Sequence, residues 1–323
     1  MDPLVEAILR RDLRATARAC RRCDDRSPGY LTLLDELFPH SGRAFLIGIT
    51  GNPGAGKSTV VDQLIATYRQ RAQRVAVVAV DPTSPFSGGA ILGDRIRMQR
   101  HFQDDNVFIR SVATRGTLGG LSRSTWDVVC VLEAWGADVV LVETVGVGQD
   151  ELEVAKAAHA TVVVMAPGLG DGVQAIKAGL LECADVFVVN KADRLGADAT
   201  VRDLELLRSL DAEVLADAAS PARWVAPIVK CVATKAKGIN ELVMQLDAHR
   251  AWQQTPAGIA HRTARQATQL SALFRDVLLD QATRCLGEQI SVLAERVQRR
   301  ELTPYAAIRE LLATFPTSRS ATW

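Results

Sequence analysis

The stretch Gly51-Asn52-Pro53-Gly54-Ala55-Gly56-Lys57-Ser58-Thr59 follows the apolar run Ala44 to Ile49 and leads into Val60, Val61, Leu64, Ile65 and Tyr68. An apolar run, a glycine-rich turn and a stripe of helical period, in that order, dictate a strand, a loop and a helix. Glycines let successive backbone N–H groups converge on one anion with no Cβ in the way, and the helix that follows adds its positive N-terminal end. Lys57 is then placed to reach the β- and γ-phosphates of a nucleotide, and Ser58 to ligate Mg²⁺. A glycine-rich turn with an incidental Lys-Ser accounts for the loop but not for the strand and helix patterns on either side of it.

The rest of the chain repeats the alternation. Val75 to Val80, Val107 to Val112, Asp138 to Val142, Thr161 to Met165 and Val186 to Val189 read as strands, and Leu121 to Trp135, Val173 to Leu181 and Val201 to Leu210 as helices. Valine-rich runs without polar alternation are strands buried on both faces, so the expected fold is α/β, a mostly parallel, doubly wound sheet. Val225 to Val232 reads as a last strand, and Pro227 makes it an edge. Residues 1–42 read as a helical extension, 43–253 as the nucleotide domain and 254–323 as a helical tail, because beyond Pro256 only helical spacing remains.

Open α/β sheets bind ligands outside the carboxyl ends of their strands, and Asn190-Lys191-Ala192-Asp193 falls at such an end. A carboxylate at Asp193 accepts from guanine N1–H and N2–H₂ together, whereas adenine offers no such donor pair. Asn190 supports the base and Lys191 lies along it. In register with the phosphate loop, this string points to GTP and GDP. Glu143 ends another strand, where a carboxylate can hold Mg²⁺ directly or through water, and Gly146 follows with an N–H for the γ-phosphate. Asp81 and Asp94 are further carboxylates in loops at that edge, although Asp94 also suits a helix cap.

Composition adds exclusions. A formal net charge of +1 in 323 residues gives no global pull toward nucleic acid or anionic lipid, and no apolar run is long enough to span a bilayer. The six cysteines are scattered, which suits a reducing compartment, so a cytoplasmic protein with no membrane or nucleic-acid partner is expected. Cys20-x-x-Cys23 supplies half a zinc site at most and reads as two ordinary helix positions.

Taken together, Gly51 to Thr59, Asp81 to Gly89, Ile91 to Arg95, Glu143 to Gln149 and Asn190 to Asp193 resemble the methylmalonyl-CoA mutase-associated GTPases, G-protein chaperones of adenosylcobalamin-dependent acyl-CoA mutases. The resemblance runs over nearly the whole chain. It implies GTP hydrolysis, Mg²⁺ contacts from Ser58, Asp81, Asp94 and Glu143, and gating of cofactor loading on such a mutase. It also implies a mobile stretch at Gly168 to Gly172 leading to Lys177 as the catalytic cation beside Lys57, and homodimerisation through the tail. Without the resemblance, Lys177 reads as an exposed helix residue.

Two departures stand out. Cys231-Val232-Ala233 occupies the place where the family carries a Ser-Ala or Thr-x-Ala segment beside the base, so the base contacts fall to Val232 and Ala233, and the Cys20 and Cys23 pair matches no metal site of the family. A metal-insertion GTPase for a nickel enzyme is the first alternative, but it calls for a Cys/His cluster. The second, a small-molecule kinase on the same loop, conflicts with guanine recognition at Asp193.

Overall fold

The computed structural model describes residues 2–81, 98–113, 123–144, 158–168, 183–215 and 223–315. The chain divides into two compact units, 1–265 and 266–323.

Among the described residues, the first unit is built on a seven-stranded sheet. The strands are β1 (Phe45–Gly51), β2 (Val75–Asp81), β3 (Val107–Ala113), β4 (Val139–Thr144), β5 (Ala160–Met165), β6 (Val186–Val189) and β7 (Ile228–Lys230). Their order is β3-β2-β4-β1-β5-β6-β7, and every pairing is parallel. β7 is three residues long and forms the edge, the place expected for a strand that follows Pro227.

Alternate residues of each strand face opposite sides. Ile47, Ile49, Val77, Leu141, Val162 and Val164 pack with Val60, Val61 and Leu64 of helix α4 (Lys57–Gln70) and with Leu242, Val243 and Leu246 of a later helix, Ile239–Trp252. On the other face Leu46, Ala76, Val78, Val140 and Val142 pack with Val128, Val131 and Leu132 of α5 (Arg123–Ala134). The same cluster takes in α1 (Pro3–Leu9), α2 (Leu13–Asp24) and α3 (Tyr30–Leu37) through Val5, Ile8, Ala15, Ala19, Leu33 and Leu37. The N-terminal helices therefore cover one face of the sheet. Cys20 and Cys23 are part of that apolar layer, where burial pushes the Cys20 thiol up to about 12 and the Cys23 thiol higher still. Beyond β6 lie α6 (Ala197–Leu215), α7 (Ile239–Trp252), α8 (Pro256–Gln298) and α9 (Pro304–Thr314).

A polar cluster closes the amino edge of β5 and β6. Asp185, just ahead of β6, accepts Thr161 N–H at 2.8 Å and both Arg265 Nη1 and Nη2 at 3.1 Å on Oδ2, and its Oδ1 lies 3.3 Å from His249 Nε2. Burial pushes its carboxyl up, but the His249 ring beside it and the Arg265 charge outweigh that and hold it below the usual carboxylate range. Arg265 Nη1 also reaches the carbonyls of Ala158 and His159, at 3.1 and 3.3 Å. Trp224 and Trp252 pack their rings on His249.

In the second unit α9 folds back on α8, tied by Arg296 to Glu310 at 2.9 Å and Thr314 to Gln289 at 3.0 Å. Leu270, Phe274 and Leu279 of α8 are each more than 60% exposed. No helix among the described residues is long and apolar enough to cross a membrane.

Candidate nucleotide site

The candidate site residues that are described lie at the carboxyl edge of the sheet. β1 ends at Gly51, whose φ of +129° turns the chain against β5, and a Cβ there would stand 2.0 Å from the Val164 carbonyl oxygen. Asn52, Pro53, Gly54 and Ala55 continue the loop to Gly56, with Ala55 N–H donating to Asn52 O at 3.1 Å. Gly56 has φ +92° and opens α4 without any side-chain cap, so the N-terminal amides of that helix, running through Lys57, Ser58 and Thr59, carry their partial positive charge outward. A Cβ on Gly56 would lie 2.4 Å from Asn190 Nδ2.

Lys57 is 6% exposed, and its ammonium donates to Gly51 O at 2.7 Å and Asn52 O at 3.3 Å. Beside it the Ser58 hydroxyl donates to Glu143 Oε1 at 2.6 Å, and both residues are buried. A hydroxyl and a carboxylate converging beside a phosphate loop form a donor set of hard oxygens that fits Mg²⁺. Asp81 closes β2 at the same edge, but its side chain lies outside the described residues, as do Asp94, Gly146 and Lys177.

The base-side residues follow β6 and β7. Asn190, 3% exposed, donates from Nδ2 to Ala55 O at 2.9 Å and accepts on Oδ1 from Ala233 N–H at 3.1 Å. Its carboxamide thus joins the phosphate loop to the turn after β7. Lys191, held at φ +55°, donates from Nζ to Gly54 O at 2.7 Å. Val232 pairs with Lys237 as an isolated bridge, and Ala233 to Lys235 form one turn of 3₁₀ helix. Cys231, behind that turn, is fully buried, and burial pushes its thiol up to about 12. Asp193 is half exposed and pairs with Lys235 at 3.1 Å, which holds its carboxyl below the usual range. Lys235 escaped sequence reasoning because it lies outside any motif; the only signal was its place in the short turn before Gly238.

Loop, hydroxyl-carboxylate pair and Asn190 bridge thus stand together at one edge of the sheet. The sequence profile described as "Methylmalonyl Co-A mutase-associated GTPase MeaB" matches residues 17–285. A protein of Pyrococcus abyssi named as a GTPase is 43% identical over 97% of this chain and 96% of its own length. The GTPase ArgK of Escherichia coli is 39% identical over 74% of this chain and 73% of its own. The mouse protein named methylmalonic aciduria type A homolog, mitochondrial, is 33% identical over 84% of this chain and 65% of its own. A crystal structure titled LAO/AO transport system kinase superimposes with a TM-score of 0.67 over 96% of this chain and 95% of its own, at 24% identity, which speaks to the fold alone. The chain belongs to the methylmalonyl-CoA mutase-associated GTPase family: it binds guanine nucleotide and hydrolyses GTP.

Proposed function

We propose that this GTPase uses the carboxyl-edge site to run a nucleotide cycle read by an adenosylcobalamin-dependent acyl-CoA mutase, whose cofactor loading and protection it gates. The observation that carries the site reading is the Asn190 carboxamide, which fastens Ala55 of the phosphate loop to Ala233 of the turn after β7. Phosphates lie on the amides from Gly51 to Thr59, with Lys57 turning from the loop carbonyls to the β/γ-phosphate oxygens. Asp193 accepts from guanine N1–H and N2–H₂, while Val232 and Ala233 flank the base. Ser58 and Glu143, joined by Asp81 and Asp94, hold Mg²⁺. Bound there, the ion would supply charge neutralisation to the phosphates. Gly146 offers its N–H to the γ-phosphate, and Lys177 supplies a second cation to the transferred phosphoryl group.

The mutase partner rests on the family's description and on the mouse relative's name. Exposed apolar residues of α8, such as Leu270, Phe274 and Leu279, support a homodimer through the tail, and the scattered cysteines suit the cytoplasm. The kinase alternative is not favoured, because Asp193 offers adenine a carboxylate without a matching donor pair.

The decisive measurement is GTP hydrolysis with and without a purified acyl-CoA mutase, for the parent protein and Lys177→Ala. We expect the mutase to accelerate the parent and the variant to lose at least about tenfold of that stimulation, a fraction of the ~10³–10⁵ that an arginine finger supplies. No complex and no stimulation with mutases acting on methylmalonyl-CoA, isobutyryl-CoA or hydroxyacyl-CoA overturns the partner reading. Full stimulation of Lys177→Ala removes that lysine from the reaction.

A further inference from the structure

Asp193 sits on an exposed loop, where a carboxylate is free to rotate and to take a proton as pH falls. Either change costs selectivity, because a protonated carboxyl offers guanine one acceptor fewer and sets an O–H against the donors of the base. Among the described residues, the charges around it come from few places. Arg194 lies on the same loop, while Lys191 is turned to Gly54 O at 2.7 Å and Lys230 to Asp198 at 2.6 Å. Among the described residues, the ion pair to Asp193 comes from Lys235, whose Nζ lies 3.1 Å from Oδ2.

The backbone of Lys235 is well fixed. Its N–H donates to Val232 O at 2.9 Å, Ala236 follows at φ +53°, and two residues earlier Ala233 N–H is bound to Asn190. The turn that carries Lys235 is thereby fastened to the residue that opens the Asp193 loop. A carboxylate has about four lone-pair sites, of which guanine N1–H and N2–H₂ take two. A lysine on one of the others remains compatible with the base.

We propose that Lys235 is a positioning residue for guanine selection, holding Asp193 ionised and aimed through a lone pair that the base leaves open. This rests on the reading of Asp193 as the guanine acceptor. The hydrogen bond from Lys235 is the main cause of the lowered Asp193 carboxyl, so the carboxylate persists further into acid. Without the lysine the carboxyl climbs back toward its ordinary range, and acid begins to weaken GDP binding at a higher pH. Both side chains are about half exposed, so the effect is small and screened by salt.

The test is calorimetric titration of GDP and ADP into the parent protein, Lys235→Ala, Lys235→Arg, Asp193→Asn and the double variant Lys235→Ala/Asp193→Asn. At low salt, Lys235→Ala should raise the GDP Kd about three- to fivefold, leave ADP unchanged and move the acid limb of GDP binding upward. Lys235→Arg should restore parental behaviour, and in the Asp193→Asn background Lys235→Ala should be silent. Equal weakening of GDP and ADP, an unmoved acid limb, or the same loss in the Asp193→Asn background overturns the proposal. If Asp193→Asn itself leaves the preference for GDP over ADP intact, the guanine reading fails instead and the proposal falls with it.

Discussion

Lys57, Ser58 and Glu143 at the carboxyl edge of the sheet are as deeply buried as Asp185 and His249 at the amino edge, yet the two groups spend their polar capacity differently. Asp185 is saturated by protein: one backbone N–H, two guanidinium nitrogens and an imidazole converge on it, and two tryptophans wall off His249. Lys57 instead rests on two loop carbonyls beside uncapped helix amides, an arrangement that a phosphate can replace with better partners. Buried charge at the amino edge serves cohesion, whereas at the carboxyl edge the proposed function gives it to a ligand. Mutations at the amino edge should therefore alter stability, and mutations at the carboxyl edge should alter nucleotide handling.

Arg265→Ala tests the stability side and should have the largest effect. It strands a carboxylate that is 7% exposed, and breaking a buried pair from one side costs about 3–5 kcal/mol. Urea denaturation should show that loss while the folded fraction keeps parental GDP affinity; a proportionate loss of affinity would mean the two edges are not separate. Lys57→Ala should do the reverse. Loss of one positioned donor to a charged transition state costs about 10²–10³ in rate, and the denaturation midpoint should move little.

A third test uses pH. Burial, followed by the charges of Arg262, Arg250 and Arg265, lowers the His159 imidazole from 6.5 to about 4, and its Nδ1 accepts Leu46 N–H at 3.1 Å. The unfolded chain therefore binds a proton that the folded chain refuses between those values. The contribution is complete above about pH 6.5 and is lost as pH falls toward 4, by roughly 3 kcal/mol at ~1.4 kcal/mol per unit. His159→Asn, which keeps an acceptor near Leu46, should flatten stability against pH over that window. An unchanged slope would assign the acid sensitivity elsewhere, with Asp185 acting at lower pH as its depressed carboxyl is finally protonated.

Asn190→Ala should have the smallest effect and blur the contrast, since Asn190 is both buried and part of the site. Two hydrogen bonds of about 1 kcal/mol each are at stake, so a stability loss of about 1–2 kcal/mol should accompany a roughly tenfold weaker GDP Kd. A change in only one of the two would place Asn190 wholly with one edge.

The carboxyl edge was far more legible in the sequence than the amino edge. Its residues sit in contiguous strings, Gly51 to Thr59 and Asn190 to Asp193, where spacing alone implies chemistry, and the valine runs announced the strands that carry them. The order β3-β2-β4-β1-β5-β6-β7 could not be read, because each buried strand resembles the next and pairing is decided by crossovers. Asp185 and Arg265 stand 80 residues apart without any local pattern to join them. Residues 1–42 looked like a preface, since an amphipathic stripe shows that a helix packs but not what it packs on. The tail read as helix from its spacing alone, and α8 and α9 are helices.

The Asn190 carboxamide also bears on how nucleotide leaves. With Ala55 O on one side and Ala233 N–H on the other, the grips on base and phosphate share a single planar group, and Gly56 leaves no slack beside it. A displacement of the 233–235 turn is felt at the phosphate loop through two hydrogen bonds, so opening one grip loosens the other. On the proposed site, we expect exchange in such a lock to proceed as one concerted release, which a protein prying at the base side, well away from the phosphates, would speed.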